Sequence, residues 1–281
     1  MTQRAQANWL PDGRRLHLHH GPIDMILDVE GPGRDAALTR AVARFDTLLE
    51  ELVTELPRLR STQGAALRGE TAQRMAHAVA PFAPAYITPM AAVAGAGAET
   101  ILAAICAGRG IDKAYVNNGG DVAFHLCPGQ DMRAAIASDP PGQVVIRHSD
   151  PVRGVATSGR GGRSQSLGIA DSVTVLAISA AMADAAATMI ANAVDLHDHP
   201  AITRQPARDL FPDSDLGDRP VTTLVARLTK AERRTALSAG LSHAHDLRAR
   251  GLIVSAALTL QGETRLLDPA HLIQQKEPEH A

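Results

Sequence analysis

Two stretches of this chain are built almost wholly from small residues, and they limit what it can fold into more than any other feature. Met90-Ala-Ala-Val-Ala-Gly-Ala-Gly-Ala-Glu99 runs on in apolar residues to about Ala107, and Ala180-Ala-Met-Ala-Asp-Ala-Ala-Ala-Thr188 leads to Val194. Alanine favours helix, and side chains this short let another backbone or a flat ligand come close. Aromatic residues make up only 2% of the chain while 45% is hydrophobic, so Ala, Leu, Val and Ile must fill the core. That excludes an aromatic stacking platform for single-stranded nucleic acid. A formal net charge of −2 excludes a general attraction to nucleic acid or to an anionic membrane. At 281 residues the chain can bury a sizeable core, as one large domain or two intimate lobes.

Cys106 and Cys127 are too few to make a disulfide framework and show no metal-ligand spacing. Residues Met1 to Asp12 are polar, with no apolar signal core. The run from Ala91 to Ala107 is interrupted by Gly95, Gly97, Glu99 and Thr100, so no stretch is expected to reach membrane-spanning length. A cytoplasmic protein is the expectation.

Hydrophobic periodicity predicts the elements. Leu16 and Leu18 alternate with histidines, and Gly21-Pro22 separates them from Ile23–Val29, which reads as two strands around a turn. Leu38, Val42, Phe45, Leu49, Leu52 and Leu56 follow the helical period until Pro57. Arg58 to Gly69 reads as a mobile connection and Glu70 to Val79 as a short helix. Thr88-Pro89 is a capping side chain followed by a first-turn residue, opening the first small-residue helix. Strands are expected at Ala114–Val116, Val122–Leu126, Arg133–Ser138, Val144–Arg147, Val155–Thr157 and Ser172–Ala177. A helix follows over Ser179–Val194, and then a flexible link of about 197–220. After Val221–Leu228, Thr229 and Glu232 have capping-box spacing for a helix to Arg250, and Leu252–Leu260 reads as a strand.

Three constellations could carry chemistry. In Asn117-Asn-Gly-Gly-Asp121, a strand ending in paired glycines offers backbone N–H groups without a Cβ in the way, and Asn117, Asn118 and Asp121 add polar side chains. A tight turn between two strands explains the same residues equally well. On the second small-residue helix, Asp184 and Thr188 are one turn apart on one face, which Asn192 and Asp195 extend. A carboxylate with a hydroxyl suits Mg²⁺, which takes few protein oxygens together with phosphate oxygens; a solvated polar stripe is the plainer reading. Gly154-Val-Ala-Thr-Ser-Gly-Arg-Gly-Gly-Arg-Ser164 is a candidate anion loop, with Arg160 or Arg163 forking onto phosphate. Asp171 at the start of the next strand is either a metal ligand or a turn carboxylate. The histidines His17, His19 and His20, and His197 with His199, supply no complete zinc ligand set.

In this order and spacing, Asn118-Gly-Gly-Asp121, Thr157-Ser-Gly159, Asp171-Ser-Val-Thr-Val175 and Ala183-Asp-Ala-Ala-Ala-Thr188 resemble the ApbE-like superfamily of flavin transferases, from about Thr88 to Asp195. Thr88-Pro-Met-Ala-Ala-Val-Ala-Gly95 and Thr157-Ser-Gly-Arg-Gly-Gly-Arg-Ser164 look closer still to an uncharacterised branch of it, which the opening His17-Leu-His-His-Gly-Pro-Ile-Asp24 also fits. The resemblance implies an α+β fold of mixed sheets and packed helices in two intimate lobes. It would be a single domain over 1–281, with the helix and strand of 229–260 part of the same fold. It implies Mg²⁺ and FAD between the lobes, and FMN moved to a threonine hydroxyl of an acceptor protein by attack on the FAD pyrophosphate, with Mg²⁺ stabilising phosphate charge. Carried over, Asp184 and Thr188 fall on the metal-binding pair. Gly119, Gly120 and Asp121 fall on the turn near the flavin nucleotide, and Ser158 and Gly159 on the strand end. Asp184 and Asp171 are the expected catalytic carboxylates, while Asn117, Asn118, Arg160 and Arg163 join the nucleotide-binding set.

Two positions depart from the family pattern. The "G-x-x-K-G" lysine is absent from Ala92-Val-Ala-Gly95, and "H-x-x-D-P" survives only as Asp171 in Leu167-Gly-Ile-Ala-Asp171-Ser172. The alternatives are a flavin- or nucleotide-binding protein without transfer chemistry, or an enzyme using another substrate in the same cleft.

Overall fold

The computed structural model describes residues 4–136, 142–162, 164–268 and 272–274. Arg163 and the end of the expected strand Arg133–Ser138 lie outside the described residues. The chain is α+β, with helices packed on antiparallel strand pairs. It divides into two compact units that interleave in sequence.

The first unit takes Met1–Gln130, Pro151–Ala156 and Ala177–Ala185. Alternation in Leu16–His20 turns Leu16, Leu18 and His20 inward. This strand pairs with Ile23–Glu30 through a two-residue loop, where Gly21 takes φ 58° as such hairpins require. Ile23–Glu30 pairs with Lys113–Asn118, which in turn pairs with Asp121–Leu126. The helices Arg34–Thr54, Glu70–Val79 and Val93–Cys106 pack in the same unit. Its core is aliphatic: Leu18, Met25, Leu27, Leu48, Met75, Ile101 and Ile105 are sealed from solvent, with Phe45, Phe82 and Phe124 as the large buried aromatics. Each such side chain contributes roughly 1.5–3 kcal/mol of burial free energy.

Three expectations need correction here. Pro89–Cys106 is, by length and composition, apolar enough to cross a membrane, with mean hydropathy 1.5 over 18 residues. Half of it is buried within the structure, and its glycines and alanines pack against the neighbouring helices and strands, which accounts for the composition. The connection from Arg58 to Gly69 is tied down rather than loose: the Glu55 carboxylate accepts from the N–H groups of Arg68 and Gly69 at 2.8 and 2.7 Å, and Arg58 donates to Ala65 O at 2.9 Å. Thr88 starts a 3-10 turn, Pro89–Ala92, ahead of the α-helix, and its side chain does not cap that turn. The strand Gln6–Trp9 escaped the sequence reading because all four of its residues are exposed.

Glycines seat the second small-residue helix, Ala180–Ala193, at its start. A Cβ on Gly95 would lie 2.3 Å from Ala180 O, and one on Gly154 would lie 2.2 Å from Ala180 N. Glu99 Oε1 accepts the Ala181 N–H at 2.9 Å, and Ser179 Oγ accepts that of Met182 at 3.2 Å. These bonds satisfy two of the orphan donors at the helix start.

The second unit takes Asp131–Asp150, Thr157–Leu176 and Ala186–Ala281. Ser255–Leu260 pairs with Ser172–Ala177 on one side and Glu263–Leu267 on the other, and the helix Lys230–Ala249 packs on Ser255–Leu260. That helix opens with the expected capping box, both reciprocal bonds of Thr229 and Glu232 being made. The stretch 197–220 holds a strand, Ile202–Pro206, paired with Pro220–Val225, and a helical turn, Ala207–Leu210. A further sheet joins Asp131–Ile136, Gly142–Arg147 and Leu272–Gln274.

Gly154→Ala and Gly95→Ala would each force backbone against backbone at Ala180. Each is expected to lower stability by about 2 kcal/mol or more. Gly120→Ala, whose Cβ would meet nothing within 4 Å, should cost only about 1 kcal/mol for its positive φ. Urea unfolding of the three variants checks the ranking.

Candidate active site

The strand Lys113–Asn118 runs through both asparagines, so the turn consists of Gly119 and Gly120 alone. Both have positive φ, 65° and 115°, the conformation of a two-residue hairpin loop. The turn geometry by itself therefore requires the glycines. Asn117 Oδ1 accepts the Gly120 N–H at 2.8 Å. Asn118 is buried and donates Nδ2 to Ala94 O at 3.0 Å, tying the hairpin to the first small-residue helix.

Asp121, the first residue after the turn, is also buried. Its carboxyl is hydrogen-bonded to that of Asp184 on the second small-residue helix. Asp184 Oδ2 accepts the Gly95 N–H at 3.0 Å, and the Ala94 N–H also donates to this carboxyl. Asp184 keeps some contact with solvent, yet the protein around its carboxyl is dense. Burial comes first, and the charge of Asp121 second, in holding its pKa well above the usual carboxylate range; the two backbone donors oppose them. Two carboxyls in such a place share a proton unless a cation lies between them to let both ionise. They are the centre of the candidate site in the first unit.

Magnesium fits this donor set. The ion needs one or two carboxylates and completes its octahedron with water or phosphate oxygens. Among the described residues no group of three or more His, Cys, Asp or Glu could cage a metal ion, so the ion would depend on such outside oxygens. Thr188 lies one turn beyond Asp184 on the same helix, as expected, and its hydroxyl donates to Ser158 Oγ at 3.4 Å.

The remaining expected residues gather in the second unit. Gly159, at φ 138°, passes Asp171 so closely that a Cβ would lie 2.8 Å from its carbonyl oxygen. Arg160 Nη2 donates to Asp171 Oδ1 at 2.6 Å, and Asp171 Oδ2 accepts the Gln261 N–H at 2.5 Å. Arg160 is thus held by Asp171, and Asp171 spends both oxygens on fixing this loop. Among the described residues the buried Arg160 Nε has no partner. His199 Nε2 lies 3.1 Å from Glu232 Oε1, while its Nδ1 accepts the Ala201 N–H.

Sequence reasoning missed Glu99 and the backbone of Gly95. Their signal was available: a glycine and a carboxylate one turn apart in a helix otherwise made of apolar side chains. The pairing of Asp121 with Asp184 had no local signal, since distant segments bring the two together.

A model of the family described as "AbpE bacteria" matches residues 7–266. A UPF0280 protein of Methanopyrus kandleri is 37% identical over 178 residues, which span 62% of this chain and 68% of that protein. Another, from Methanothrix thermoacetophila, is 38% identical over 127 residues, 43% of this chain and 51% of its own length. Among solved structures, a mutant of the flavin transferase ApbE from Vibrio cholerae is similar over 94% of this chain and 96% of that one, at 14% identity and a TM-score of 0.47.

Because the folded protein holds the Asp184 proton above the ordinary carboxylate value of 3.8, it binds more protons than the unfolded chain over the pH range above that value. Stability is therefore lost as pH rises through that range. Without divalent cations, Asp184→Asn should melt higher than the parent at pH 8, with the gap closing toward pH 4. Thermal melts across that range test the sign; a parent equal to Asp184→Asn at every pH would contradict it.

Proposed function

This chain belongs to the ApbE-like superfamily, through the family described as "AbpE bacteria", and from that premise we propose that it is a magnesium-dependent enzyme acting on a flavin nucleotide. In this reading FAD is the substrate and FMN passes to a hydroxyl of an acceptor protein. The observation that carries it is the carboxylate pair of Asp121 and Asp184, a buried negative site supported by backbone donors from Ala94 and Gly95.

Asp184 and Asp121 would hold the magnesium ion, with Thr188 the other residue the resemblance assigns to it. When bound, the ion would neutralise charge on the pyrophosphate oxygens. The chain's own part is preorganisation. Gly95 N–H fixes one oxygen of Asp184, Glu99 fixes the start of its helix, and the Asn117–Gly120 bond fixes the turn that delivers Asp121. The exposed backbone of Gly119 and Gly120 leaves room for a flat ligand, since a Cβ on Gly120 would meet nothing within 4 Å. In the transfer itself, the acceptor hydroxyl would give up its proton to solvent as its oxygen bonds to the FMN-side phosphorus, the pyrophosphate bond would break, and AMP would leave.

A second reading, a flavin-binding protein without transfer, has specific support. The family's histidine position corresponds to Gly168, where a Cβ would lie 2.1 Å from Ala191 O, so no side chain fits. The family lysine position is Ala94, and Arg160 is bound to Asp171.

Incubating the protein with FAD, Mg²⁺ and a mixture of candidate acceptor proteins separates the two readings. The enzyme releases AMP; the binder turns yellow and releases none. Asp184→Ala should lower AMP release at least about a hundredfold, the loss typical when a key electrostatic group is removed from an active site. An unchanged rate in that variant would remove Asp184 from the mechanism.

A further inference from the structure

Past the end of the helix Ala180–Ala193, the second unit contains a cavity of about 770 Å³, within the range that small-molecule sites occupy. Its polar wall includes Asn192, Asp195, Arg204 and Arg219, and its apolar wall is Leu167, Ile202 and Pro220. Arg204 and Asp195 form an ion pair whose side chains keep only 18% and 21% of their exposure. This pair fixes the plane of the guanidinium and occupies one of its edges. Asn192 Oδ1 accepts the Leu167 N–H at 3.1 Å, which fixes the amide.

Apart from the Asp195 Oδ2, 3.8 Å from His197 Nδ1, and the exposed Asp198 carboxylate, the groups left over in this wall are donors. Asn192 Nδ2 and the Nε and Nη1 of Arg204 have no partner among the described residues. Arg219 adds a second positive charge. His199 has both ring nitrogens engaged, with Glu232 and with the Ala201 N–H, so it gives the cavity shape rather than hydrogen bonds. The unpaired carboxylate of Asp198 stands on an exposed residue. A half-buried guanidinium with a free edge beside a free amide is a fork for oxyanions, and the aliphatic wall suits a compact apolar body.

We propose that this cavity binds a small organic anion, a carboxylate or phosphate ester whose oxygens accept from Asn192 and Arg204 while its apolar part lies against Leu167, Ile202 and Pro220. This site is independent of the flavin reading, and its test uses neither FAD nor Mg²⁺.

Calorimetric titration with benzoate, phenyl phosphate and the neutral benzyl alcohol tests it on the intact chain. At least one anion binds and the alcohol does not; which anion wins distinguishes a carboxylate from a phosphate ligand. Asn192→Asp keeps the acceptor for Leu167 N–H but replaces the donors with negative charge. It should weaken anion binding about tenfold or more, the size of a lost charge-assisted hydrogen bond. Arg204→Lys keeps the charge facing Asp195 but loses the fork, and should weaken binding in the same direction; it decides the matter if Asn192→Asp does not fold. Absence of binding by both anions, equal binding of the alcohol, or parental affinity in the folded variants would overturn the proposal.

Discussion

Two carboxylates share one place in the first unit, and the local structure is arranged around keeping them there. Asp121 and Asp184 are hydrogen-bonded to each other in dense surroundings, with the backbone N–H groups of Ala94 and Gly95 donating to Asp184. Left to itself, such a pair costs folding free energy once its shared proton is lost. A cation placed between the two carboxylates would offset that cost. In the proposed function, a magnesium ion on a flavin nucleotide meets that preference.

The small-residue helices are what make the arrangement possible. Only glycine at 95 and 154 lets the first residue of the Asp184 helix sit against two other backbones at once. Glu99 and Ser179 then satisfy the helix start, so that Asp184 emerges at a fixed depth. The hairpin turn serves the same end. Its two glycines adopt the positive φ that the chain reversal needs, and Asn118 anchors the strand to Ala94, so Asp121 is delivered to Asp184.

Much of this was legible in the sequence. The helix of Asp184 and Thr188, the strands around Gly119-Gly120 and the capping box at Thr229 follow from spacing and local chemistry, which depend on near neighbours only. What the sequence withheld depends on distant segments. The partner of Asp184 comes from another hairpin, and the partner of Arg160 is Asp171 across a loop, which turns an expected phosphate fork into an internal ion pair. The strands Gln6–Trp9 and Ile202–Pro206 lack a continuous buried face, so hydrophobic alternation could not announce them. The buried helix Val93–Cys106 imitates a membrane span because a packing helix made of small side chains has the same composition.

The account is tested most directly by anomalous diffraction from crystals grown with Mn²⁺ as a stand-in for magnesium. It predicts a single strong peak within coordination distance of both Asp121 and Asp184 carboxyl groups. A well-ordered structure with those two carboxyls still paired to each other, and the manganese bound elsewhere or absent, would contradict it.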